Sequence, residues 1–133
     1  MDILVIDRTD SIKLDLLAVQ KNIHYVNDEV KALNALEECS SVTVLLHINM
    51  MQEKTAEYID VLLKANPASA IVVIADELSD DEILKCLLAG AMGYQQQGRL
   101  MEYAYRLVNA MNDGEAWITR RMTATLLDSL RQC

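Results

Sequence analysis

Asp7 and Arg8 close an apolar run, ILVI, and His47 closes another, VTVLL. Ala75 ends a third run, IVVIA, and Tyr94 stands three residues before Gln97 in the stretch GYQQQ. A carboxylate, a guanidinium and an imidazole at such positions could hold a cation, grip an anion or pass a proton. Imidazole is also a nucleophile, and Asp7 could orient it. Neither Ala75 nor Gln97 offers charge to a transferred group, so His47 reads first as a hydrogen-bonded structural residue. His24 and His47 have no carboxylate or thiol at ligand spacing, and no metal site is expected. Arg8 is expected to reach over the crevice and pair with Asp7 or Asp10, because a guanidinium matches a carboxylate with two bonds.

The elements that must position these residues alternate along the chain. Apolar runs over 1–6, 23–26, 42–46, 70–75 and 92–94 read as strands. Helical spacing recurs over 9–21, 28–39, 54–65, 79–89 and 98–112. In 9–21, Ile12, Leu16, Leu17 and Val19 supply the apolar face, and Thr9 or Asp10 the cap. In 28–39 the apolar side is Val30, Leu33 and Leu36. Asn66-Pro67 stops the next helix, Ser79 with Glu82 forms a capping box, and Gly90 ends the helix that box opens. The runs at 42–46 and 70–75 are apolar almost throughout, which means burial on both faces, as in a parallel sheet. Strands alternating with helices imply an α/β fold, a doubly wound five-stranded parallel sheet of flavodoxin-like architecture with strand order 2-1-3-4-5. Its crevice lies beyond the carboxyl ends of the strands, which brings Asp7, Arg8, His47 and Ala75 together. An extra C-terminal helix is expected over 118–130, capped by Thr119, with Met122, Leu126, Leu127 and Leu130 as its apolar side. Residues 1–113 then form the domain and 114–133 a helical extension or linker.

Composition narrows the function classes. With 20 acidic and 12 basic residues the net charge is −8, a sign that repels a phosphate backbone and argues against direct nucleic-acid contact. The adjacent Arg120 and Arg121 read as a solvated helix start. Cys39, Cys86 and Cys133 match neither zinc spacing nor a secreted disulfide framework, which points to a reducing, cytoplasmic setting. Met1 leads straight into a strand-like run, so no secretory leader is expected, and no apolar segment reaches membrane-spanning length. The helix over 98–112 carries Met101, Tyr105, Val108 and Met111 at helical spacing, with Tyr103, Leu107 and Ala110 on neighbouring faces. One side must cover the sheet, and the other, with Met101, Tyr105, Val108 and Met111, is the candidate dimer face.

In ILVID, VLLHINM and LLAGAMGY the chain resembles the receiver domains of two-component response regulators. GEAWITRRMTATLL is similar to the segment that follows the last receiver helix in the NarL/LuxR type. The resemblance covers essentially the whole chain and implies the CheY-like receiver fold. In that family two acidic residues after the first strand and an Asp after the third hold Mg²⁺, a hard cation that wants oxygen ligands. The Asp takes a phosphoryl group, which a Thr or Ser and a Lys then read by hydrogen bond and charge.

Set against that pattern, Asp7 keeps the first acidic position and Arg8 stands at the second. His47 stands at the phosphoacceptor, Ala75 at the Thr or Ser, Gln97 at the Lys, and Met51 where the family has Pro. The resemblance therefore implies a degenerate phosphorylation site, with no phosphorylation on Asp, no catalysis, no cofactor and no metal. Tyr94 falls at the family's aromatic switch position, and Gly90-Ala91 keeps the tight corner before the fifth strand. Also implied are a homodimer, an attached or partner DNA-binding output domain, and a role in signal transduction and transcription regulation through protein contacts. A second reading is a ligand sensor that binds a small anion with Arg8 and His47 in the vacated acidic crevice.

Overall fold

The computed structural model describes residues 2–132, so Met1 and Cys133 lie outside the described residues. Five apolar runs become strands: β1 (Ile3–Ile6), β2 (Ile23–Val26), β3 (Thr43–His47), β4 (Ala70–Ala75) and β5 (Gly93–Gln96). They pair in parallel in the order β2-β1-β3-β4-β5, the expected one. The fifth strand starts one residue later than its apolar pattern suggested and runs on to Gln96.

Because side chains alternate across a strand, the sheet serves two cores. Leu4, Ile6, Val44, Leu46, Ile71 and Val73 point one way, toward α1 (Glu29–Glu37) and α2 (Thr55–Ala65), which contribute Leu36, Ile59 and Leu62. Ile3, Val5, Leu45, Val72 and Ile74 point the other way, toward α4 (Leu100–Asn112). The helices between follow their caps. Asp28 accepts from the N–H groups of Val30 and Lys31, and Ser79 from that of Glu82 at the start of α3 (Asp80–Leu88). Val30 points to solvent, and Ala32 with Leu36 carries the buried face of α1.

The expected helix over 9–21 is replaced by turns and a single 3₁₀ turn at Leu14–Leu16. Asp10 turns to φ 53°, a left-handed backbone that no α-helix can contain, so the helix is interrupted at its expected cap, and the Asp7 carboxylate fixes this turn by accepting the N–H groups of Thr9 and Ile12. Ile12, Leu16 and Val19 still reach the core from this irregular path, but Leu17 is left exposed. The helix over 98–112 is present as α4, yet its expected outer face divides. Val108 and Met111 are buried against the sheet, whereas Met101 and Tyr105 are 62% and 68% exposed.

The segment after α4 returns to the sheet. Gly114 (φ 74°) reverses the chain, and Trp117 forms a parallel bridge to Gly93. The Trp117 N–H donates to the Met92 carbonyl at 2.8 Å, and the Tyr94 N–H donates to the Trp117 carbonyl at 3.1 Å. A final helix, α5 (Arg120–Arg131), is capped by Thr119 and packs on α3 through Met122, Ile83 and Leu87. Of its expected apolar side, Met122 is buried and Leu126 partly so, but Leu127 and Leu130 face solvent. No helix among the described residues is long and apolar enough to cross a membrane.

Candidate functional site

At the carboxyl end of β1, Asp7 is 1% exposed and accepts from four donors. They are the Asn49 Nδ2 at 2.7 Å, the Ser11 hydroxyl at 3.0 Å, and the N–H groups of Thr9 and Ile12 at 3.2 Å each. Burial pushes the carboxyl pKa up, but Asn49, Thr9 and Ser11, with a smaller pull from His47, outweigh it and hold it below its ordinary 3.8. Asp7 is thus a fully engaged carboxylate that caps the turn after β1.

His47, at the end of β3, is the next link. Its Nδ1 accepts from the Asn49 N–H at 3.0 Å, which leaves the ring proton on Nε2 to donate to the Gln97 Oε1 at 2.7 Å. Asn49 also takes the Arg8 N–H on its Oδ1 and donates to the Thr9 hydroxyl, both at 3.0 Å. One chain of hydrogen bonds therefore runs from Gln97 through His47 and Asn49 to Asp7. Ala75, which has no side-chain donor, is reached from β5: the Tyr94 hydroxyl donates to its carbonyl at 3.2 Å. No buried side-chain polar atom among the described residues lacks a hydrogen-bond partner.

Arg8 does not pair with Asp7 or Asp10 as expected. Its guanidinium donates to Glu29 at 3.0 Å and to the Met50 carbonyl at 2.8 Å. The reason is local: the Asp7 oxygens are already taken by donors inside the crevice, while Glu29 opens α1 beside the path of the arginine. The two side chains are half-exposed, so solvent screens the pair to about 1 kcal/mol or less. Arg8→Ala is expected to lower stability by no more than about 1 kcal/mol in urea unfolding. A loss above about 2 kcal/mol would make this cation a structural substitute for a metal.

The arrangement does not suit Mg²⁺, which needs near-octahedral oxygen ligands. Asp7 has its oxygens engaged, Arg8 puts a positive group at the second position, and His47 offers nitrogen where a carboxylate would sit. No three His, Cys, Asp or Glu side chains among the described residues gather as a metal site. A shallow depression of about 330 Å³ lies beside Arg8, lined also by Glu29, Asn49, Met50, Met51 and Gln52. His47 takes no part in that lining, and the arginine charge is already matched by Glu29.

Asn49 is the residue that sequence reasoning missed. Its only signal is a short polar side chain two places after His47, in the turn where a strand ends. Tyr94 sits half-buried with its ring against the core on the α3 side, among Ile83, Leu87 and Met122. Its phenol pKa is raised by burial first and then by the charges of Asp76 and Glu77.

Neither a protein-family model nor a curated protein matches the sequence. Solved structures do match. A response regulator from Thermotoga maritima is 19% identical, with a TM-score of 0.74, over 83% of this chain and 95% of that one. The isolated REC domain of RcsB from Salmonella enterica serovar Typhimurium is 13% identical, with a TM-score of 0.77, over 96% of this chain and 98% of that one. A LuxR-family two-component response regulator from Aurantimonas sp. SI85-9A1 is 14% identical, with a TM-score of 0.76 and 96% of both chains covered. The last two matches cover 96% of this chain, too much to leave α5 outside the likeness. By strand order, layering and this likeness, the chain has the CheY-like fold of a response-regulator receiver domain.

Proposed function

We propose that this chain is a receiver-like signalling domain that is not phosphorylated on Asp and acts by binding proteins, as a homodimer that governs an attached or partner output. The output that suits its structural likeness to a LuxR-family regulator is transcriptional. One observation carries the reading. The residues at the phosphoacceptor and lysine positions, His47 and Gln97, are spent on each other, and Asn49 ties that pair to the one carboxylate that remains. A site whose polar groups are mutually satisfied is held in one state without a ligand. Tyr94 is held by its bond to the Ala75 carbonyl, with no side-chain hydroxyl at residue 75.

Incubated with acetyl phosphate and Mg²⁺, the protein is expected to keep the intact mass of the untreated chain. Gain of one phosphoryl group would overturn the reading, on Asp7 if it survives the change of His47 to Asn and on His47 if that change removes it.

Dimerisation rests on a separate observation. The turn at Leu14–Leu16 packs on α4, and this region exposes Leu14, Leu17, Met101 and Tyr105. Exposed apolar groups grouped in this way mark protein contacts. Light scattering is expected to give a dimer mass for the native chain and a monomer mass for the Met101→Glu, Tyr105→Glu double variant. An unchanged mass in the variant would remove α4 from the interface.

A further inference from the structure

Trp117 is the chain's one tryptophan, and its bridge to β5 builds a wall that the sheet by itself would lack. Against that wall lies an open groove of about 550 Å³, lined by Tyr94, Gln96, Arg99, Tyr103, Glu115 and Trp117 among others. That size is within the roughly 300–1,000 Å³ common for small-molecule sites. The Tyr103 and Trp117 rings meet edge to face with centroids 6.3 Å apart, and Tyr94 adds a third aromatic group. The polar tips of this wall are fixed by bonds of their own. The Trp117 Nε1 donates to the Gln95 Oε1 at 2.9 Å, which leaves the indole to offer its ring.

Charge then selects the ligand. Arg99 is the one basic residue in the lining, and it is already committed: it pairs with Glu102 at 3.2 Å and lies over the Tyr103 ring. Tyr94 and Gln96 also line an adjoining open groove of about 570 Å³ whose other walls include Asp76, Glu77 and Glu82. Asp76, Glu77 and Glu115 enter none of the ion pairs found among the described residues. Aromatic faces beside unpaired carboxylates attract a cation and repel an anion. The phenol of Tyr94 registers the same field, since Asp76 and Glu77 add to the rise in its pKa that burial begins.

We propose that this double groove binds a small organic cation, an apolar body seated against Trp117 and an ammonium or guanidinium directed past Tyr94 toward Asp76 and Glu77. The site lies apart from the Asp7 crevice and does not depend on the dimer.

Phenethylamine and 3-phenylpropionate are matched probes of opposite charge, and Trp117 emission, excited where neither absorbs, reports on both. Phenethylamine is expected to give a saturable change at a concentration at least about tenfold below any response to the anion. In ¹⁵N spectra the amides of Tyr94, Gln96, Tyr103 and Trp117 should move with it. The exposed pair Asp76→Asn, Glu77→Gln should weaken the amine about threefold or more while the thermal melt stays unchanged. Equal binding of the two probes, amide shifts elsewhere in the domain, or full binding by the double variant would each overturn the assignment.

Discussion

Gly93→Ala is expected to detach the Trp117 segment from β5 and to cost about 3 kcal/mol in urea unfolding. A Cβ at residue 93 would overlap the Trp117 carbonyl oxygen, with the carbonyl carbon and the Trp117 Cβ close behind. The carbonyl belongs to backbone held by two hydrogen bonds, and the Cβ moves only with that backbone, so no side-chain rotation makes room. Relief comes only if the bridge opens, and the opening has its own signature. Trp117, half-buried and bonded to Gln95, would move toward water, with red-shifted emission and a loss of near-ultraviolet ellipticity.

Met122→Ala separates this effect from the docking of α5. Met122 is 3% exposed among Ile83 and Leu87, and its truncation should cost about 2–4 kcal/mol while the Gly93–Trp117 bridge stays closed. A Gly93→Ala protein with native stability and native Trp117 emission would show that the bridge contributes nothing.

The second large effect belongs to Asp7. Asp7→Ala removes the acceptor of four donors, and the buried Ile12 N–H has nothing to replace it. Hydrogen bonds to a charged group contribute about 1.5–3 kcal/mol each, and a buried unsatisfied donor costs about 1–3 kcal/mol. Since one side chain serves all four, the effects do not add, and a total of about 3–4 kcal/mol is expected.

The pH dependence has a definite sign. The folded-state pKa of Asp7 is depressed, so its stabilisation is full above the unfolded value near 3.8 and is lost as pH falls through the lower folded value. Asp7→Asn keeps the shape and lacks that charge. The stability gap between native and Asp7→Asn protein should therefore be constant near neutrality and narrow only below pH 3.8. Urea midpoints measured on both proteins from neutral to strongly acid pH check this. A gap that widens on acidification would mean that Asp7 is protonated in the native crevice.

The sheet was legible in the sequence because its signal is local. Runs such as VTVLL and IVVIA, apolar on both faces and set between helical stretches, leave few arrangements open, and the flavodoxin-like one carries the order 2-1-3-4-5. Caps were legible for the same reason: Ser79 with Glu82 and Thr119 with Met122 act within one turn of their own chain. The positions of Asp7, Arg8, His47 and Ala75 at strand ends followed from the topology, and Gln97 was named by the resemblance to receiver domains.

Partners across the chain were a different matter. His47 meets Gln97 fifty residues away, and Asn49 meets Asp7 forty-two residues away. Which donor satisfies which acceptor depends on distances that only the packed strands define. The helix expected over 9–21 fails on this account, since its apolar spacing is real but the chain turns left-handed at Asp10, in a loop that the Asp7 carboxylate fixes from the end of β1. Arg8 likewise found Glu29 because four other donors had reached Asp7 first. On α4, periodicity showed that the helix was apolar around much of its circumference, and the sheet alone decided that Val108 and Met111 face inward while Met101 and Tyr105 face water. Burial on a helix face and choice of hydrogen-bond partner are set by what arrives from elsewhere in the chain, which is why tertiary structure decides them and local pattern does not.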